Sequence, residues 1–174
     1  MNILFAGTPE PSAKLLQALV KNNNINIVGV ITKPDIAQNR GKKIQQSQVS
    51  FAASETNLPI YKPDNLNSLE FRQTLLQLDF DFLVVAAYGK IIPDWMLESP
   101  KIMSINVHYS LLPKYRGASP IQSCLLNGDK KTGITFIKMS NKLDEGECIQ
   151  KYEIEVHPDH NKITLEDELC NLAI

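Results

Sequence analysis

Cysteine is scarce in this sequence and never closely paired: Cys124, Cys148 and Cys170 lie far apart, with no C-x-x-C among them. That pattern argues against a disulfide framework or a thiolate metal clamp, and free thiols in a reducing compartment are the expectation. Long apolar runs are absent as well. None approaches the roughly 20 residues needed to cross a bilayer. The opening MNILFAGTPEP has neither a basic n-region nor a small-residue cleavage site, so it does not read as a secretory signal. A cytoplasmic protein with no membrane partner is therefore expected. An excess of one charge is missing too: 18 Lys and Arg face 19 Asp and Glu, a formal net charge of −1. Any contact with nucleic acid must then come from a local basic cluster. Finally, no G-x-G-x-x-G follows the first apolar run, which counts against a nucleotide-binding oxidoreductase module.

What is present is patterned α/β. At 174 residues, 43% of them hydrophobic, the chain suits one domain with a sizeable core. A short apolar run at residues 3–6 reads as a buried strand, and Leu15, Leu16, Leu19 and Val20 recur at helical spacing. Further strands are expected at 27–31, 81–87, 102–108, 132–139 and 148–156, with helices at 49–56, 68–78 and 120–126. The stretch KPDIAQNRGKKIQQSQ reads as a polar loop, and Gly128-Asp129 and Thr132-Gly133 as turn punctuation. This alternation predicts a doubly wound, mainly parallel sheet with helices on both faces. Near the end, Thr164-Leu165-Glu166-Asp167 resembles a capping box, and Leu165, Leu169 and Leu172 continue on one helical face. The chain stops at Ile174 without a helix-ending signal, so a longer parent protein is expected.

The stretch SINVHYSLLPKYRGASPIQ, residues 104–122, is the least like packing. Asn106 and His108 are two apart on a strand, so both point to one face. They fall near a carboxyl end, where open parallel sheets bind ligands. An amide can donate to an oxygen that becomes negative, and an imidazole can exchange a proton near neutral pH. A carboxylate to orient the ring is expected from the LDEGE turn; Asp144 is the best candidate, with Glu145 and Glu147 as competitors. Such a trio without an adjacent Ser or Cys nucleophile suits direct acyl transfer to an amine. A packed histidine and a turn aspartate are the plainer reading of the spacing alone. The HPDH segment carries His157 and His160, but Pro158 between them and the absence of a cysteine cluster favour a surface turn over a metal pair.

Several motifs in order, FAGTPE, TKPD, RGKK, LVVAAYGKIIP, INVHYSLLPKYRGASPIQ, GDKKTGIT and LDEGE, resemble the formyltransferases that use 10-formyltetrahydrofolate. The likeness covers nearly the whole chain. It implies a Rossmann-like fold, with residues 1–174 as a catalytic domain cut short at its C-terminal end. Full-length relatives carry a second domain that helps hold tRNA; without it, formyl transfer to tRNA would be poor. The resemblance implies Asn106, His108 and Asp144 as the catalytic trio, a reduced folate as formyl donor, and no metal. It places the folate against Ser110, Leu111, Leu112 and Pro113 and along Val85, Ala87, Tyr88 and Gly89. It further implies methionine esterified to initiator tRNA as the acceptor, with Arg40, Lys42 and Lys43 approaching the tRNA, and a monomer. Two positions depart from the pattern: Tyr109 is usually small, and Glu145 is commonly neutral. Other acceptors compete, namely glycinamide ribonucleotide, an amino-sugar nucleotide or water, as does a non-catalytic folate- or RNA-binding fragment. Pro9 in the first loop offers no N–H to a phosphate, which disfavours the ribonucleotide.

Overall fold

The computed structural model describes residues 1–38 and 43–174. Its frame is a seven-stranded sheet. In chain order the strands are β1 (Asn2–Gly7), β2 (Asn26–Ile31), β5 (Ile60–Tyr61), β6 (Phe82–Ala86), β7 (Met103–His108), β8 (Lys131–Lys138) and β9 (Cys148–Glu155). Across the sheet they run β5-β2-β1-β6-β7-β8-β9. The first five in that order are parallel, while β8 and β9 join antiparallel. Strand β1 shows why the centre is parallel. It is buried on both sides, so its alternate residues serve two cores instead of a core and solvent.

Ile3 and Phe5 pack with α1 (Glu10–Lys21) and α2 (Gln48–Glu55), through Leu15, Leu16, Val49 and Ala52. Leu4 and Ala6 face the other way, onto α3 (Leu69–Leu76) and α4 (Asp94–Leu97), through Phe71, Leu75 and Met96. Helices α5 (Pro120–Leu126) and α6 (Lys162–Ala173) add a third cluster, in which Ile121, Leu165 and Leu169 cover Ile134 of β8. The doubly wound arrangement is therefore present. No helix among the described residues is long and apolar enough to cross a membrane.

Three expectations need correction. Residues 33–48 are not all loop: β3 (Ile36–Gln38) and β4 (Lys43–Gln45) pair antiparallel. Each strand is too short to show a period, and Ile36 and Ile44 are exposed, so backbone pairing rather than burial forms this hairpin. Arg40 and Lys42, expected at the tRNA, lie outside the described residues, and Lys43 is described only through its backbone pairing with Gln38. The cap of α6 sits three residues earlier than Thr164. Asn161 Oδ1 accepts from the Ile163 and Thr164 amides at 2.8 and 3.2 Å, and Thr164 Oγ1 accepts from the Asn161 amide at 3.0 Å. A short Asx side chain reaches those amides well, and Thr164 completes the box from inside the helix.

Gly133 is not turn punctuation either. It lies inside β8, and a Cβ there would stand 1.9 Å from the Tyr152 carbonyl oxygen of β9. Only glycine allows the two strands to approach this closely.

Tyr88 is the largest fully buried side chain, and its hydroxyl has no hydrogen-bond partner among the described residues. Burial pushes the phenol up to about 12. Its unfolded value is about 10, so the folded state favours the protonated phenol. That contribution is fully present below pH ~10 and is lost as pH climbs towards the folded value. Tyr88→Phe keeps the ring and removes an unsatisfied hydroxyl. Urea denaturation should show it more stable by about 1 kcal/mol at neutral pH, with a shallower decline in alkali. A variant less stable than the parent at neutral pH would mean that the hydroxyl is satisfied after all.

Candidate active site

Strand β7 delivers the first two site residues. Val107 turns to the α1 side and joins that core, so Asn106 and His108 turn to the opposite face, as their spacing requires. Asn106 lies beside Val85 of β6 and Ile137 of β8, and His108 beside Thr135. The loop after β6 therefore borders the site, with Ala87 and Gly89 both at positive φ.

Asp144 arrives from the connection between β8 and β9. Its backbone is left-handed, with φ of +50°, a conformation aspartate tolerates better than most residues. This bend turns the carboxylate back over β7. Oδ1 accepts from Asn106 Nδ2 at 3.2 Å, and Oδ2 accepts from the Gly117 amide at 2.7 Å. Oδ2 also stands 3.6 Å from His108 Nδ1, an electrostatic contact longer than a hydrogen bond. Both side chains are only 7% exposed, so little water screens the pair. The sequence favoured Asp144, with Glu145 and Glu147 as competitors, and the geometry brings Asp144 to the ring. Glu145 turns outward and accepts from Arg116 at 2.9 Å, while Glu147 is exposed.

His108 has a second partner that the sequence did not point to. Its Nε2 lies 2.8 Å from the Tyr115 carbonyl oxygen. A carbonyl only accepts, so Nε2 carries the hydrogen, and Nδ1 is the nitrogen facing Asp144. A formyl oxygen is also a carbonyl acceptor and would compete for the same hydrogen. An oxyanion is a stronger acceptor still, so it would draw this bond away from Tyr115 as charge develops.

The SLLP corner is built from inside. Ser110 Oγ donates to the Lys114 carbonyl at 2.6 Å. Thr135 Oγ1 donates to the Ser110 carbonyl at 2.7 Å and accepts from the Leu112 amide at 3.1 Å. Lys151 Nζ binds the Leu112 carbonyl. The Ser110 carbonyl and both main-chain groups of Leu112 are thus taken up by the protein, and the side chains of Ser110, Leu112, Val85 and Tyr88 are buried. Among the expected folate-contacting positions, Pro113, Ala87 and Gly89 are exposed and Leu111 is half-buried. Thr135 is a site-building residue that sequence reasoning missed; its signal was a threonine on the inward phase of a strand.

Tyr109 does not narrow the site. It faces away from His108, packs among Phe136, Leu165 and Ala173 on the α6 side, and burial pushes its phenol well above the usual range. His160 pairs with Glu168 at 3.0 Å and accepts from the His157 amide at 3.1 Å. Among the described residues no group of three or more acidic, His or Cys side chains is placed to hold a metal.

Thr135→Val should cost about 2–3 kcal/mol in urea denaturation, because it leaves the buried Ser110 carbonyl and Leu112 amide unpaired. Thr135→Ser keeps the hydroxyl and should lose less than half as much. Equal losses would assign the effect to packing.

Comparison with known proteins places this geometry. Residues 1–173 match the formyl transferase family. The chain is 42% identical over 171 residues to a methionyl-tRNA formyltransferase of Sulfurihydrogenibium sp., covering 98% of this chain and 55% of that one. It is 44% identical over 173 residues to the methionyl-tRNA formyltransferase of Buchnera aphidicola, covering 99% and 54%. The chain thus spans about half the length of the curated relatives it matches. Among solved structures, a phosphoribosylglycinamide formyltransferase from Bacillus halodurans superposes with a TM-score of 0.79 at 17% identity, covering 99% of this chain and 89% of that one. One from Anaplasma phagocytophilum gives 0.76 at 20%, covering 99% and 79%. At such identities these two structures speak to the fold alone.

Proposed function

Since this chain belongs to the formyl transferase family, we propose that it moves a formyl group from 10-formyltetrahydrofolate to the α-amino group of methionine on initiator tRNA. The observation that carries this reading is the convergence of Asn106, His108 and Asp144, with no activated nucleophile beside them among the described residues. The neighbouring Ser110 hydroxyl is committed to the Lys114 carbonyl, and Cys124 is buried with its thiol pushed up by burial. With no acyl-enzyme route, the amine attacks the formyl carbon directly. The C–N bond forms as the carbonyl electrons move to oxygen, and collapse breaks the bond to the folate nitrogen while a proton passes from the amine to that nitrogen.

Asn106 has one amide hydrogen held by Asp144 and a second for the formyl oxygen. His108 donates through Nε2 to the same oxygen, and Asp144 stabilises a proton arriving on Nδ1. The folate lies along Leu111–Pro113 and the loop of Ala87 and Gly89, over a wall underlain by Val85, Tyr88, Ser110 and Leu112. Arg40, Lys42 and Lys43 contact tRNA phosphates; three cations among four residues in a near-neutral chain support that role. In this reading the chain is the catalytic domain, works as a monomer and resides in the cytoplasm. The curated relatives' names favour methionyl-tRNA over a sugar nucleotide as acceptor.

Formyl transfer measured with charged initiator tRNA, an amino-sugar nucleotide and glycinamide ribonucleotide should show turnover with the tRNA. Transfer to the sugar nucleotide alone would overturn the acceptor. Asp144→Asn should lower kcat by roughly 10²–10⁴ while folate affinity stays within about threefold. Equal losses in both would make Asp144 a structural residue.

A further inference from the structure

The segment Lys114 to Gly117 touches two of the trio, His108 through the Tyr115 carbonyl and Asp144 through the Gly117 amide, yet its own conformation is not self-supporting. Tyr115 has φ of +56°, a region that costs a bulky residue free energy and persists only when neighbours enforce it. The neighbours that enforce it here are outside the trio. The Tyr115 hydroxyl donates to Asp129 Oδ2 at 2.8 Å and accepts from Asn127 Nδ2 at 2.9 Å. Lys114 Nζ reaches the same Asp129 oxygen at 3.2 Å. Asp129 precedes β8 and keeps only 19% of its side chain exposed, so it is a fixed post for the end of the tyrosine.

We propose that Asp129, with Asn127, is a positioning residue for His108, acting through Tyr115. The phenol is tethered at one end of the residue and the carbonyl holds His108 Nε2 at the other. The tether sets where that carbonyl lies, and the carbonyl sets the ring plane and keeps the hydrogen on Nε2. The ring is thereby presented with Nδ1 towards Asp144 and with its Nε2 hydrogen on the Tyr115 carbonyl, from which a formyl oxygen would take it over. Tyr115 and Lys114 hold Asp129 below the usual carboxylate range, in keeping with a charged anchor. Neither Asp129 nor Asn127 touches the reacting atoms in this scheme; both act by geometry.

The kinetic part of this proposal rests on the formyl-transfer reading, whereas the structural part does not. Tyr115→Phe, Asp129→Ala and Asp129→Asn, in the purified chain, test it by two readouts. Misplacing a catalytic group by a fraction of an ångström costs on the order of 10–100-fold in rate. Tyr115→Phe and Asp129→Ala should therefore lower kcat by about that factor, with KM for the folate within about twofold and the melting temperature little changed. Asp129→Asn retains an acceptor for the phenol and should recover most of the activity. Independently, NMR should show a His108 Nε2–H proton that exchanges slowly in the parent and rapidly in Tyr115→Phe and Asp129→Ala. Parent-like exchange and parent-like kcat in a folded variant would overturn the proposal. So would kcat, KM and stability falling together without recovery in Asp129→Asn. A parent chain that transfers no formyl group would refute the activity while leaving the exchange measurement to decide the positioning role.

Discussion

One carboxylate organises the active end of this molecule. Asp144 accepts the Asn106 amide on one oxygen and the Gly117 backbone on the other, and that second oxygen also faces the His108 ring. Strand β7, the segment at Gly117 and the β8–β9 connection are joined at this one side chain. Because the group is almost wholly removed from solvent, each of these contacts is worth more than its exposed counterpart. Leaving any of them unmade would be correspondingly costly. The backbone bend at Asp144 and the positive φ of +92° at Gly117 both exist to let this meeting occur.

The sheet explains why such a meeting is possible. Five parallel strands place their carboxyl ends, and the loops after β6 and β7, on one edge of the domain. Strand β8 then reverses direction, so the loop leaving it begins near the opposite edge and must fold back to reach β7. Beyond β8, β9 seats closely against it at Gly133. The candidate site therefore draws on two differently wound parts of one sheet.

The strands at 82–86 and 103–108, and the helix at 120–126, were legible because long apolar runs and a Pro near a helix start have local physical causes. The shared face of Asn106 and His108 followed from the pleat. What stayed hidden depends on contacts instead of composition. The choice of Asp144 over Glu145 needed the fold-back of the loop. The Tyr115 carbonyl and the Gly117 amide are main-chain groups that any residue would supply, so no letter in the sequence marks them. Helix α4 and strand β5, with four and two residues, are shorter than any periodicity they might display.

Strand β9 has a neighbour on one side only, and nearly all of its residues face solvent. It is one of the sheet's two edge strands, and the loop bearing Asp144 leads into it. Fraying of this margin would release the loop of Asp144 while β1, β6 and their helices stay packed. Local opening that reaches this margin therefore meets the loop of Asp144 before it meets the centre of the sheet.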